Sequence, residues 1–587
     1  MIRKIVLGFA LILLIADTIA APSDELHRLF GEYWDYEMEI NPFAATTSGI
    51  NIYNDRVPNV SAEAQARVLE ARRRFRTRLY DIDLSAVDAG DRLSAEILTF
   101  ILKHDLALAE FDGWRIPFLS DSGFHSDFGY VVGSTPFEDE QDYRNYLNRL
   151  AAFPGYLDQN LENMRAGLAS DFTQPKEILG NILPSFEAQV TASAEDHPFY
   201  GPFKSMPTTI APETRGKLAR EAQRVFNDNV IPAYARLLSF MREEYVPNAR
   251  EALAATELPN GQEYYAALVR YFTTLDDATA DDIHQRGLRE VERIRHEMDA
   301  VIEETDFDGS FEGFLEFLRS DPQFYAKTPE EILMRAAWIS KKIDGRLPGF
   351  FGKLPRQPYS VEPVPMEIAA NYTGGRYVPS PPGGSRGGQY WVNTYALHTR
   401  PLYQLIALSL HESVPGHHFQ AALAYEVENA PAFRTQFYPH AFGEGWGLYS
   451  EKLGVEMGIY ETPYDHFGRL SYEMWRACRL VVDTGLHARG WTRQQAVDYL
   501  ASSTALSLHS IGTEVDRYIA WPGQALAYKM GELTIWDLRA KSEQTLGDAF
   551  DIREFHDAVL TEGGLPLQIL RSQIDAYIAG KNRRLIH

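Results

Sequence analysis

The chain has 587 residues, 45% of them hydrophobic, enough for large apolar cores and incompatible with an intrinsically disordered chain. Its 57 Lys and Arg stand against 81 Asp and Glu, a net charge of −24, and no basic run offers the footprint that a nucleic-acid binder needs. The single cysteine, Cys478, excludes an intrachain disulfide framework and a thiolate-rich metal site.

At ~150 residues per domain the length suggests about four domains, but large helical enzymes exceed that figure, and we expect two merged lobes. Residues 1–21 read as an export signal. Arg3 and Lys4 give a charged start, Ile5 to Ile15 an apolar run, and Thr18-Ile19-Ala20-Ala21 a small-residue cleavage region. The run is shorter than the ~20 apolar residues that span a bilayer, and no later segment is apolar enough. The expected product starts near Pro22, periplasmic or secreted, with no stable membrane anchor once the signal is removed. The lack of cysteine pairs points to a periplasm more than an open extracellular milieu.

From Pro22 to about residue 350 the pattern is helical. Thr279 with Asp281 and Asp282 opens a helix that carries Ile283, Leu288, Val291, Ile294 and Met298 on one face. Thr328-Pro329-Glu330-Glu331 has the cap, the first-turn proline and the glutamate of a capping box, and Thr492-Arg493-Gln494-Gln495 opens a helix in the same manner. Pro154 and Pro232 should kink or divide the helices that contain them. Residues 353–400 break the pattern: Val361 to Ile368 alternates, Gln389 to Thr394 is aromatic and β-branched, and a Pro/Gly-rich loop lies between. From Leu402 the chain reads as helix to its end. The expected fold is mainly α and multi-helical, with a small β insertion before the helix that ends at His411. The lobes are placed at residues 22–280 and, for the catalytic one, 281–587.

The chemistry concentrates near that helix. Five of the 16 histidines (His398, His411, His417, His418 and His440) fall within 43 residues. At the centre stands His411-Glu412-Ser413-Val414-Pro415-Gly416-His417-His418, which begins like the zinc-protease helix, where two histidines four apart bind the ion and the glutamate activates a water. Here the fourth position is Pro415. In a regular helix, i+6 lies ~240° round and i+7 ~10.5 Å along, so neither His417 nor His418 could share an ion with His411. Pro415 and Gly416 are the residues that can break the helix and absorb the two extra positions. His417 is the expected second ligand, with His418 the alternative or a partner behind the ligands. A catalytic zinc takes three protein ligands, and Glu444 in Gly443-Glu444-Gly445-Trp446-Gly447 is the third candidate, on a helix returning past the first. Glu451, two turns further on, suits a role behind a histidine.

The strings HESVPGHH, GEGWGLYSE and Glu514-Val515-Asp516-Arg517-Tyr518 through Gly531, with Arg386-Gly387-Gly388, Asp483-Thr484-Gly485-Leu486-His487 and Phe555-His556-Asp557, resemble a large bacterial family. It is the domain of unknown function 885 family, described as zinc-dependent peptidases, and the resemblance covers essentially the whole mature chain. It implies a helical, metallopeptidase-like fold holding one Zn2+ per chain. The Glu444-Gly-Trp segment also looks like the glutamate-ligand helix of zinc aminopeptidases.

The mechanism so implied is hydrolysis of peptide bonds in short peptides, with Glu412 as general base. Tyr528, or His487 oriented by Asp483, is expected to stabilise the oxyanion. Arg386, Arg479, Arg517 or Lys529 could hold a peptide carboxylate, and the strand Gln389 to Thr394 could pair with an extended peptide. His398 and His440 read as structural or rim residues. Gly383-Gly384-Ser385-Arg386-Gly387 matches a nucleophile-elbow string, but prolines precede it and an extended segment follows. The alternative reading is a non-catalytic periplasmic peptide-binding protein that keeps the fold. Retention of Glu412 favours the enzyme.

Overall fold

The computed structural model describes residues 21–369, 372–380 and 386–586. The export-signal reading therefore falls outside the described residues except for Ala21, as does Gly383-Gly384-Ser385 of the elbow string. Nine of the described helices carry the site and the main packing. They are α1 (Pro22–Ile40), α2 (Glu140–Ala169), α3 (Ala280–Glu303), α4 (Leu405–Glu412), α5 (His417–Ala424), α6 (His440–Glu456), α7 (Pro463–Ala488), α8 (Leu526–Leu546) and α9 (Leu567–Ile586). No described helix is long and apolar enough to cross a membrane.

The start signals act as expected. The Thr279 hydroxyl accepts the Asp282 amide to open α3, and Ile283, Ile294 and Met298 are buried along one face. Leu288 departs from that face and is 38% exposed. Thr492 and Gln495 form a complete capping box. Thr328 caps its helix, while Glu331 reaches one residue further back than a box requires, to the amide of Lys327. The prolines behave differently from each other. Pro154 sits inside an unbroken α2, whereas Pro232 follows a wide π turn at Phe226–Val230, where one backbone bond is already skipped.

The largest apolar cluster draws on Leu26 and Phe30 of α1, Val269, Trp446 of α6, Ile535 of α8 and Leu570 of α9. It therefore takes residues from both sides of position 280. A second cluster, rich in aromatic rings, belongs to residues 43–249. Two glycine contacts set the close helix approaches. A Cβ on Gly287 of α3 would lie 2.8 Å from Leu480 of α7, and one on Gly531 of α8 would lie 1.8 Å from the Ala441 carbonyl of α6. Only hydrogen fits there.

The β insertion has three strands, β1 (Tyr359–Pro363), β2 (Gly375–Val378) and β3 (Gly388–Val392), in the order β1-β3-β2. β1 runs parallel to β3, pairing Val361 with Tyr390, and β2 runs antiparallel to it, pairing Tyr377 with Tyr390. The expected strand at Val361–Ile368 is shorter than its alternation suggested, because Met366–Ala369 is a helical turn. β3 is the central strand, paired on both edges, so the expectation that Gln389 to Thr394 pairs with a peptide is corrected. Its ladder groups are already used.

Candidate metal centre

α4 stops at Glu412. Ser413 and Gly416 leave helical geometry, with ψ of −109° and −130°, and α5 begins at His417. The break lies where Pro415 and Gly416 stand, and a Cβ on Gly416 would meet the His411 carbonyl at 1.9 Å. The indole of Trp446 donates to the Pro415 carbonyl at 2.6 Å and so ties the break to α6. His411 is thus next to last in one helix and His417 first in the next, which lets two side chains six residues apart face one point.

They do so together with Glu444. His411 Nε2 and His417 Nε2 each lie 3.6 Å from Glu444 Oε2, and one ligand atom from each residue falls within 4.8 Å of the others. The donor set fits a cation such as zinc, because each histidine commits its other nitrogen elsewhere. His411 Nδ1 lies 2.8 Å from Glu451 Oε1, and His417 Nδ1 lies 3.0 Å from the Gln420 side-chain amide. Ligation through Nε2 requires the proton on Nδ1. Exchanging the two ends of the Gln420 amide provides the oxygen to accept it. Burial opposes a charge on His411, but Glu444, Glu451 and Glu412 outweigh it and lift its pKa to about 9. Burial likewise opposes a charge on Glu444, and His411 and His417 outweigh it, holding that carboxylate well below its usual range. A cation can replace the shared proton.

Of the four glycines of α6, the three nearest Glu444 have separate reasons. A Cβ on Gly443 would strike the Tyr438 ring at 2.3 Å, one on Gly445 the Gly531 backbone at 2.5 Å, and one on Gly447 the His411 ring at 2.6 Å. Small residues let the ligand helix pass its neighbours on three sides.

Glu412 is buried beside the ligands, and its Oε2 accepts the Tyr377 amide of β2 at 2.8 Å. The sheet therefore positions the candidate base. Tyr438 was not singled out from the sequence. The residue is 45% exposed while its hydroxyl donates to Glu444 Oε1 at 3.3 Å, and only its place six residues before Glu444 could have signalled it.

Residues 42–574 match the family described as bacterial protein of unknown function, DUF885. The chain belongs to this family. A solved structure described as "the putative lipoprotein from Colwellia psychrerythraea" shares 27% identity with the DUF885 chain, covering 96% of it and 100% of the other at a TM-score of 0.90. Another, described as "a putative lipoprotein of unknown function from Shewanella oneidensis", is 17% identical, covers 93% and 99%, and has a TM-score of 0.67, a likeness of fold. No curated protein matches the DUF885 chain.

Several expected residues of the DUF885 chain lie elsewhere. His418 turns from the ligands: its ring nitrogens face the Tyr377 hydroxyl at 3.2 Å and the Gln357 carbonyl at 3.1 Å. His487 is fully buried, with one nitrogen accepting the Ala255 amide and the other facing the Tyr518 carbonyl, so it cannot serve an oxyanion. Asp483 does not orient it but accepts from Tyr265 and Gly523 instead. Lys529 is buried among Glu473, Glu532 and Glu290, a satisfied ion network with no room for a substrate. Arg479 and Arg517 share Glu514, and Arg386 is exposed and bonded within its own loop. Tyr528 lies under the Arg479 guanidinium, 4.3 Å from its ring centre, and within electrostatic reach of Tyr438. His398 is exposed, and His440 packs its ring against Phe272, Tyr438 and Trp521.

Proposed function

We propose that this protein is a zinc-dependent hydrolase that cleaves peptide bonds of short peptides. The observation that carries the reading is the convergence of His411, His417 and Glu444 beside a glutamate that is not among them. A purely structural site has no use for that extra base. When bound, zinc supplies Lewis acidity and brings the pKa of a water toward ~7. Glu412, held through Oε2 by the Tyr377 amide, has Oε1 to take the proton of the attacking water and to deliver it to the leaving amine. Tyr438, whose hydroxyl reaches Glu444 Oε1, and Tyr528 within its electrostatic reach are the candidate donors to the oxyanion. The carboxylate of Glu451 behind His411 fixes the tautomer that points Nε2 at the shared centre.

Both similar structures are described as lipoproteins, and with the signal-like N-terminus this supports a place in the cell envelope outside the cytoplasm. Cys478 is buried and is not a point of lipid attachment.

Glu412→Gln is expected to keep stoichiometric zinc by elemental analysis yet to lose at least a thousandfold in turnover of a peptide library read by mass spectrometry. Unchanged turnover would reject the mechanism, and peptide binding without hydrolysis by the native chain would turn the reading to a receptor.

A further inference from the structure

The chain carries an excess of 24 negative charges, yet two arginines near β2, the strand whose Tyr377 amide holds Glu412, form no ion pair among the described residues. Arg376 is the exposed neighbour of Tyr377 on β2, and because side chains alternate along a strand it points away from the buried face. It lies within electrostatic reach of Glu412, and also of Tyr372 and Tyr130. Arg400, in the segment leading to α4, donates from Nη2 to the Tyr372 carbonyl at 3.1 Å, and a Cβ on Gly374 would lie 4.0 Å from its Nη1. Both guanidinium groups therefore gather on Tyr372 and the entry to β2. Among the described residues neither makes an ion pair with a carboxylate, and the Nε of Arg400 is buried without a partner. The half-buried Arg400 guanidinium, whose pKa burial lowers, bears a desolvation cost that a bound carboxylate would offset. Tyr130, 68% exposed on the helix Phe128–Ser134, lies within electrostatic reach of Arg376.

The geometry points to a substrate carboxylate held by Arg376 and Arg400 beside Glu412, so that the peptides cleaved are those ending in a free carboxylate. This rests on the hydrolase reading for turnover, but not for recognition. Guanidinium groups are planar and forked, which suits a carboxylate better than a neutral amide. The arginines expected from the sequence, by contrast, are committed to Glu514 or to their own loop.

The test uses the zinc-loaded full chain with three matched peptides: a free acid, its C-terminal amide, and an amide with Glu as last residue. The free acid is expected to show a KM at least tenfold below that of the plain amide. Recovery of that advantage by the Glu amide assigns the carboxylate to a side chain, and lack of recovery assigns it to the chain terminus. Arg376→Gln and Arg400→Gln are expected to raise KM for the free acid tenfold or more with kcat within threefold. Arg400→Lys, which keeps the charge, is expected to retain part of the preference and shows that loss in Arg400→Gln is not misfolding. Calorimetric binding of the same peptides to Glu412→Gln separates recognition from turnover. Acid preference in binding with no hydrolysis by the native chain would sink the hydrolase reading and keep this inference. Equal affinity for acid and amides would overturn the inference whatever the turnover.

Discussion

On the proposed reading, Glu451 acts through another residue. It touches no reacting group, but its carboxylate holds His411 Nδ1 at 2.8 Å, and such partners are worth ~10- to 100-fold in metal affinity. Glu451→Gln is expected to weaken zinc by that factor in competition with a chelator while leaving the far-ultraviolet circular dichroism unchanged. An unchanged affinity would mean that the tautomer of His411 is set by something else. Asp483, misread as a catalytic partner, makes its own prediction. Burial pushes its pKa up from 3.8 to about 7, against the bonds from Tyr265 and Gly523. Between those two pH values the folded chain keeps a proton that the unfolded chain has released, so the group's contribution is complete below about pH 4 and is lost as pH rises through 7. Asp483→Asn, which keeps the accepting oxygen, should flatten the fall in melting temperature between pH 5 and pH 8. A slope equal to that of the native chain would place the titration elsewhere.

The elements show what a sequence can and cannot reveal. The pair His411 and Glu412, the break at Pro415-Gly416 and the convergence of Glu444 on the histidines were all legible, because each depends on spacing along one or two helices. The choice of His417 over His418 follows from where α5 restarts, and the two neighbours then point to different sides. β2 was not legible: four residues, Gly-Arg-Tyr-Val, carry no alternation, and the strand exists through pairing with β3. His487 and Lys529 misled because their partners, Ala255 and Glu290 with Glu473, are remote in sequence. The helix crossing is likewise a long-range fact. Gly445 and Gly531 meet backbone to backbone, so Gly531→Ala must push α8 from α6. Overpacking of this kind costs roughly 1–3 kcal/mol, and because α6 carries Glu444 the displacement should also weaken zinc. A variant with native melting temperature and native zinc affinity would show that the contact is not constraining.

For the whole molecule, the ion and the fold are separable. The apolar clusters extend far beyond the three ligands, so the helices stand without a cation. On the proposed reading, zinc at ~1,000 times its dissociation constant would add about 4 kcal/mol, because His411, His417 and Glu444 converge only in the folded chain. Differential scanning calorimetry is expected to show a melting temperature several degrees lower after chelation, with helix content retained. Collapse of the helical signal on chelation would make the ion structural. The main cluster has one more consequence. Leu26 and Leu29 near the start share it with Leu570 and Ile574 near the finish. A ribosome-bound chain lacking its last helix therefore has no complete nucleus to close around the first. The core around α1 can thus close only after the last helix has emerged, whereas residues 43–249 hold an apolar cluster of their own.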